Sequence, residues 1–125
     1  MSEQQHITDA EWDVMQVVWS RGRVSAADVI SDLAEDKDWN HRTVRTLLSR
    51  LVDKEILTYE VDGNRYVYKA RVTRQRCVRS EGRSFVNKVF GGDVKSLLLH
   101  FVDDSDLDAE DLKKLREALN SRKRS

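Results

Sequence analysis

Arg42, Arg45, Thr46 and Ser49 stand at the i, i+3, i+4, i+7 spacing that gathers side chains on one face of an α-helix. Guanidinium and hydroxyl groups in that pattern suit hydrogen bonds to phosphate oxygens and base edges. Arg matches guanine O6 and N7, and Thr or Ser serves either partner. Two positions further on, Val44, Leu47, Leu48 and Leu51 repeat the spacing with apolar side chains. At about 100° per residue the two sets centre on nearly opposite faces, one for a core and one for a polyanion. The chemistry on offer is recognition, not bond-making.

An ordinary amphipathic helix with a solvated basic face would carry the same residues. Three neighbouring features favour recognition. A capped helix precedes the segment at helix-turn-helix distance, and the polar face mixes Arg with Thr and Ser rather than alternating Lys with Glu. A hairpin with Arg65 at its tip follows. In a helix-turn-helix the second helix of the pair lies in the major groove with its N-terminal turns against the bases. Arg42, Thr43, Arg45, Thr46 and Ser49 are the candidates to enter the groove, with Arg50, Asn64 and Arg65 on the backbone and His41, beside the recognition face, suited to a phosphate contact.

Catalytic and metal chemistry find little to stand on. His6, His41 and His100 are far apart, and Cys77 has no Cys or His at ligand spacing. No Gly-rich phosphate loop, nucleophile elbow or paired-carboxylate motif occurs. The cluster Asp103, Asp104, Asp106 and Asp108 lacks the glycine and closing glutamate of a calcium loop, so it reads as a solvated link. No cofactor, no metal and no enzymatic activity are expected.

The elements that must position these residues follow from punctuation and period. Thr8 and Glu11 have capping-box spacing, Trp12, Met15, Val18 and Trp19 give a helical stripe, and Gly22 ends it. Ser25 opens a second helix with Val29, Ile30 and Leu33 as its stripe, and the polar run Glu35 to Asp38 closes it. Asn40 caps the third, which runs to about Lys54. Leu57 to Val61 and Tyr66 to Lys69 alternate about an Asp62-Gly63-Asn64-Arg65 turn and predict a β-hairpin. Three helices and a hairpin predict a mainly α winged helix-turn-helix over residues 1–72.

Residues 73–125 predict three more helices. The first spans Thr73 to Phe90 and is broken by Gly91-Gly92. The second spans Asp93 to Val102, and the third is capped by Asp108 and ends in a tail, Arg122 to Arg124, expected to fray. Their apolar positions, Phe85, Val86, Val89, Phe90, Leu97, Leu98, Phe101, Leu112, Leu115 and Leu119, form narrow stripes that short helices would struggle to bury alone. A homodimerisation region is favoured over further core of one domain. A two-fold protein also suits a two-fold DNA site.

Composition agrees once it is read locally. The 125 residues carry 22 basic and 22 acidic side chains, a net charge of zero. Yet residues 1–39 hold three basic and nine acidic groups, 40–71 hold seven and four, and 72–90 hold five and one. A basic middle between acidic flanks can steer a polyanion where net charge cannot. With 39% hydrophobic and 35% charged residues the core is thin for the surface, which again leans towards self-association. A single cysteine, a polar start and no apolar run near ~20 residues point to a cytoplasmic chain without membrane insertion.

The string Thr8 to Trp19, with Ala10-Glu11-Trp12 and Trp19, resembles the opening helix of the penicillinase and methicillin-resistance repressors. That winged-helix family also includes copper-responsive repressors. Lys37 to Leu51 is similar to its turn and recognition helix. Phe85 to Gly92 with Leu97 to Val102 is similar to its dimerisation region. The resemblance implies a dimeric repressor of palindromic operators with TACA-like half-sites, acting on genes of the β-lactam-resistance type. It further implies release by cleavage between Asn and Phe in the fifth helix, driven by a membrane-bound sensor protease. The aligned bond here is His100–Phe101, with His in place of Asn. The Cys-x-Cys pairs of the copper branch are absent, so copper sensing is not carried over. A different class of function on the same fold is a winged helix that docks a protein without binding specific DNA. Such modules often lack a basic recognition face, and affinity for duplex DNA with its salt slope discriminates the two.

Overall fold

The computed structural model describes residues 6–104 and 107–124. Its elements run α1 (Asp9–Arg21), β1 (Arg23–Val24), α2 (Ala26–Leu33), α3 (His41–Asp53), β2 (Leu57–Asp62), β3 (Arg65–Ala70), α4 (Arg74–Phe90), α5 (Val94–Asp104) and α6 (Ala109–Arg124). The chain divides into two compact units, Met1–Gly82 and Arg83–Ser125.

In the first unit each helix begins where its cap dictates. Thr8 and Glu11 form a reciprocal capping box on α1, and Ser25 and Asp28 do the same on α2. Asn40 accepts the Thr43 amide at 2.9 Å to start α3. Gly22 ends α1 at φ 89°, a conformation open to glycine, and its N–H returns to the Val18 carbonyl. Between α2 and α3 the turn is tied to α1: Lys37 Nζ lies 3.3 Å from an Asp13 carboxylate oxygen and 5.7 Å from the Trp39 ring centre. Val44, Leu48 and Leu51 are fully buried and Leu47 nearly so. They pack with Val14, Met15 and Val18 of α1 and Val29 of α2 in one core. At roughly 1.5–3 kcal/mol per buried side chain, this stripe fixes which way α3 faces.

The expected hairpin is present, one residue longer on each inner end, with Asp62 paired to Arg65 across a Gly63-Asn64 loop. Gly63 has φ 66° and Asn64 does not go positive, which is the φ pattern of a type II′ turn. A third strand joins it. β1 pairs antiparallel with β3, Arg23 against Lys69 and Val24 against Tyr68, giving the order β1-β3-β2. Two residues cannot announce a strand by period, and these become one only through β3.

The division between the two compact units falls inside α4, after Gly82. Thr73 caps this helix, its hydroxyl accepting the Arg76 amide. The first turns belong to the winged-helix unit. Trp19 Nε1 donates to the Val72 carbonyl at 3.0 Å, Arg74 reaches Gln16, Cys77 is buried in the core, and Glu81 accepts the Ile7 amide. Core contacts from this Arg-rich stretch rest on Cys77, too little apolar period to be read in advance.

In the second unit, Gly91 and Gly92 take φ 60° and 86° and end α4 as expected, and Asp93 caps α5 through Ser96. Helix α5 continues through Asp104 instead of stopping at Val102. The carboxylate of Asp103 in this last turn opposes the dipole, but it is exposed and the cost is small. Ser105 and Asp106 of the acidic link lie outside the described residues, as do Met1 to Gln5. Asp108 caps α6 by accepting the Asp111 amide at 2.8 Å. The helix persists to Arg124, where fraying was expected. No helix among the described residues is long and apolar enough to cross a membrane.

Candidate nucleic-acid interface

Because the apolar stripe of α3 is buried, its opposite face is presented to solvent. His41, Arg42, Arg45, Thr46, Ser49 and Arg50 line one open concavity along it. Thr43 is partly turned inward. The Thr46 hydroxyl donates to the Arg42 carbonyl at 2.9 Å, so towards a ligand it offers its methyl group and oxygen lone pairs.

A second cleft opens where α3 meets the wing. His41, Arg45 and Ser49 form one wall, Asn64, Arg65, Tyr66 and Tyr68 the other, and Ser25, Ala26 and Ala27 at the start of α2 the floor. The candidates from helix and hairpin, 15 or more residues apart in sequence, are thus brought to one surface. The tyrosines and the α2 start had not been singled out. A signal was available: Tyr59, Tyr66 and Tyr68 are the chain's three tyrosines and all lie in the hairpin. The pairs Tyr59 with Tyr68 and Val61 with Tyr66 put the three rings on one face of the sheet. Their centroids are 4.9 to 6.4 Å apart.

Ion pairs occupy several of the cations that flank this surface. Arg21 makes a bidentate pair with Asp32 at 2.7 Å and lies 3.6 Å from Asp28. Arg23 pairs with Glu60, Lys37 with Asp13, Lys54 with Glu11 and Arg71 with Glu55. The Asp32 carboxyl is held below its usual range by the Arg21 hydrogen bond, and that of Asp28 chiefly by the Ser25 amide. Among the described residues no carboxylate stands within ion-pair distance of Arg42, Arg45, Arg50 or Arg65. Asp28, Asp32 and Glu60 have cationic partners, Arg65 acts on Asp28 at longer range, and the guanidinium groups of Arg42, Arg45 and Arg50 are left for an external anion.

The second unit carries the other predicted set. Phe85, Val89, Leu98, Phe101, Leu112, Leu115 and Leu119 are between 38% and 61% exposed, Phe90 and Leu97 are half-buried, and Val86 is buried. Phe90 lies 6.1 Å from His100, and His100 lies 5.4 Å from Phe101, centroid to centroid. The His100–Phe101 peptide bond sits within α5.

A cationic helix, preceded by two capped helices and followed by a hairpin that β1 completes to a three-stranded sheet, defines the first unit as a winged helix-turn-helix. Residues 7–121 match the family model described as penicillinase repressor, and the chain belongs to that family. It is 34% identical to a penicillinase repressor of Staphylococcus aureus over 119 residues, covering 95% of this chain and 94% of the relative. The methicillin resistance regulatory protein MecI of Staphylococcus aureus (strain N315) is 34% identical over 116 residues, covering 93% and 94%. Among solved structures, the Bacillus licheniformis BlaI monomeric form in complex with the blaP half-operator is similar at 31% identity. Its TM-score is 0.51, over 60% of this chain and 92% of that one.

Proposed function

We propose that this chain is a dimeric transcriptional repressor of the cytoplasm that binds palindromic operators in duplex DNA. The observation that carries the reading is the clustering of Arg42, Arg45, Arg50 and Arg65, none of them in an ion pair among the described residues, on the exposed face of α3 and on the wing. In this reading the N-terminal half of α3 enters the major groove. Arg42, Arg45, Thr46 and Ser49 meet base edges, and Arg50, Asn64 and Arg65 grip phosphates. Phe85, Val89, Leu98, Phe101, Leu112, Leu115 and Leu119 join two protomers, so that both half-sites are held together. That MecI and the penicillinase repressors regulate β-lactam resistance supports a target gene of that type. A membrane-bound sensor protease would relieve repression by cutting His100–Phe101, a bond whose helical setting must unwind first. Cutting there would remove α6 and its share of the dimer contact.

The test is fluorescence anisotropy of the full chain against duplex from its own upstream region and a scrambled control, across a salt series. Cooperative preference for a dyad, with log affinity falling steeply in log salt, is the expected result. Equal weak binding to both duplexes, repeated after selection from random sequence, would overturn the DNA reading in favour of a protein-docking winged helix.

A further inference from the structure

Resting on the DNA reading above, we infer that the cleft between α2, α3 and the wing is a built seat for one backbone phosphate. The Tyr68 hydroxyl and the first amides of α2 are its neutral donors. Tyr68 is more than nine-tenths buried on the central strand β3, yet among the described residues its hydroxyl meets no hydrogen-bond partner. The residue lines the cleft and its hydroxyl oxygen is not sealed from solvent, so it is open to a ligand there. On the floor, Ala26 and Ala27 hold the first two N–H groups of α2, which have no acceptor within the helix. Such amides, at the positive end of the helix dipole, suit an anion. Asp28, the acid of that turn, is folded back onto the Ser25 amide at 3.0 Å, lies 3.6 Å from Arg21 and is drawn also to Arg65 of the wing.

The electrostatics agree. Burial, and then the neighbouring Tyr66, push the Tyr68 hydroxyl above its ordinary value, against the pull of Arg45 on the facing wall. It therefore stays protonated and can donate at neutral pH, with Arg45 close enough to share the same anion. The exposed Tyr66 ring, stacked on Tyr59 at 4.9 Å, gives that wall an apolar side. A cleft with cationic, donor and aromatic walls matches a phosphate joined to a sugar. In a helix-turn-helix the helix before the recognition helix crosses the DNA backbone, which brings the start of α2 to a phosphate.

The decisive variant is Tyr68→Phe, which deletes only the hydroxyl. Its probes are the duplex that the wild-type chain enriches from a random library and a scrambled version. Because no internal hydrogen bond is lost, the melting temperature should not fall. Affinity should drop about three- to tenfold, by the same factor on both duplexes, since a phosphate carries no sequence. The salt slope should not change, since no charge is removed. Substituting methylphosphonate along the enriched duplex should reveal one position at which wild type and Y68F become equal. Unchanged affinity in Y68F, a loss confined to the enriched duplex, or the lack of any such position would overturn the assignment. Failure of the wild-type chain to bind any duplex would sink the DNA reading itself. Wild-type binding with an indifferent Y68F sinks only the seat.

Discussion

The ammonium of Lys54, at the end of α3, lies 2.6 Å from Oε1 of Glu11 in the first turn of α1. The same oxygen accepts the Thr8 amide at 2.9 Å, so the α1 capping box is also the anchor of the recognition helix. Glu11 is fully buried. A buried pair of this kind is costly to break because the surviving charge is left without its partner.

Lys54→Met should therefore destabilise the protein by about 3 kcal/mol at neutral pH. Burial pushes the Glu11 carboxyl up, but the Lys54 hydrogen bond, the Thr8 amide and the Lys54 charge together hold it below the usual 4.5. A depressed carboxylate contributes stability above its unfolded value and loses it as pH falls through the folded one. Without Lys54 its hydrogen bond and charge no longer lower the value against burial, and the carboxylate's contribution to stability shrinks. The stability gap between wild type and K54M should be widest near neutrality and narrow in acid. Urea titrations at several pH values check this, and a gap that stays constant on acidification would refute it.

Glu55 occupies the left-handed region at φ 63°, immediately after α3. It closes a Schellman motif in which the Ile56 amide donates to the Leu51 carbonyl at 3.0 Å and the Glu55 amide to Val52 at 2.9 Å. Glycine takes this conformation without the Cβ penalty. Glu55→Gly should stabilise the protein by about 1 kcal/mol, raising the melting temperature by about 4 °C. The lost contact with Arg71, 3.8 Å apart and well exposed, is worth little. A lower melting temperature in E55G would mean that the Arg71 contact outweighs the backbone strain.

Arg45 lines both the α3 face and the wing cleft, unlike Arg42 and Arg50, which line only the first. Arg45→Ala should cost about 1–3 kcal/mol in operator affinity and relax specificity at a base. Arg50→Ala, on the phosphate side in our reading, should weaken all duplexes alike and flatten the salt slope by about one. Binding-site selection with both variants separates the roles, and an unchanged base preference in R45A would count against its place in the groove.

What the sequence disclosed, and what it hid, follows from the range of the interactions. The recognition helix was legible from cap to cap because Asn40, the Val44 to Leu51 stripe and the opposed Arg42 to Ser49 set are local and periodic. The hairpin was legible for the same reason. Strand β1 was not, since Arg23 and Val24 are ordered by Lys69 and Tyr68 far along the chain. Nor was the pairing of Glu11 with Lys54, the attachment of early α4 through Cys77 and Trp19, or the α3–wing cleft. Each joins segments whose proximity exists only after folding. Tyr68 shows the difference within one residue. Alternation placed it on a strand face, but only the packed α2 and α3 turn that face into the wall of a cleft.

Leu112, Leu115 and Leu119 recur on one side of α6 and are exposed in the single chain. Phe85, Val89, Leu98 and Phe101 are exposed in the same unit, which holds only one buried residue of the predicted set, Val86. Apolar area on this scale gains about 25 cal/mol per Å² when covered, and a second copy presents the same stripes to cover it. Leu115→Asp should therefore give monomers in sedimentation at concentrations where the wild type is dimeric. Helix content should change little, because Leu115 is not part of the protomer's core. The variant should also bind a full dyad no more tightly than a single half-site, since affinity for the dyad depends on linking two weak contacts. A Leu115→Asp chain that still sediments as a dimer would place the interface elsewhere. One that is monomeric yet keeps the full-dyad advantage would separate operator binding from this surface altogether.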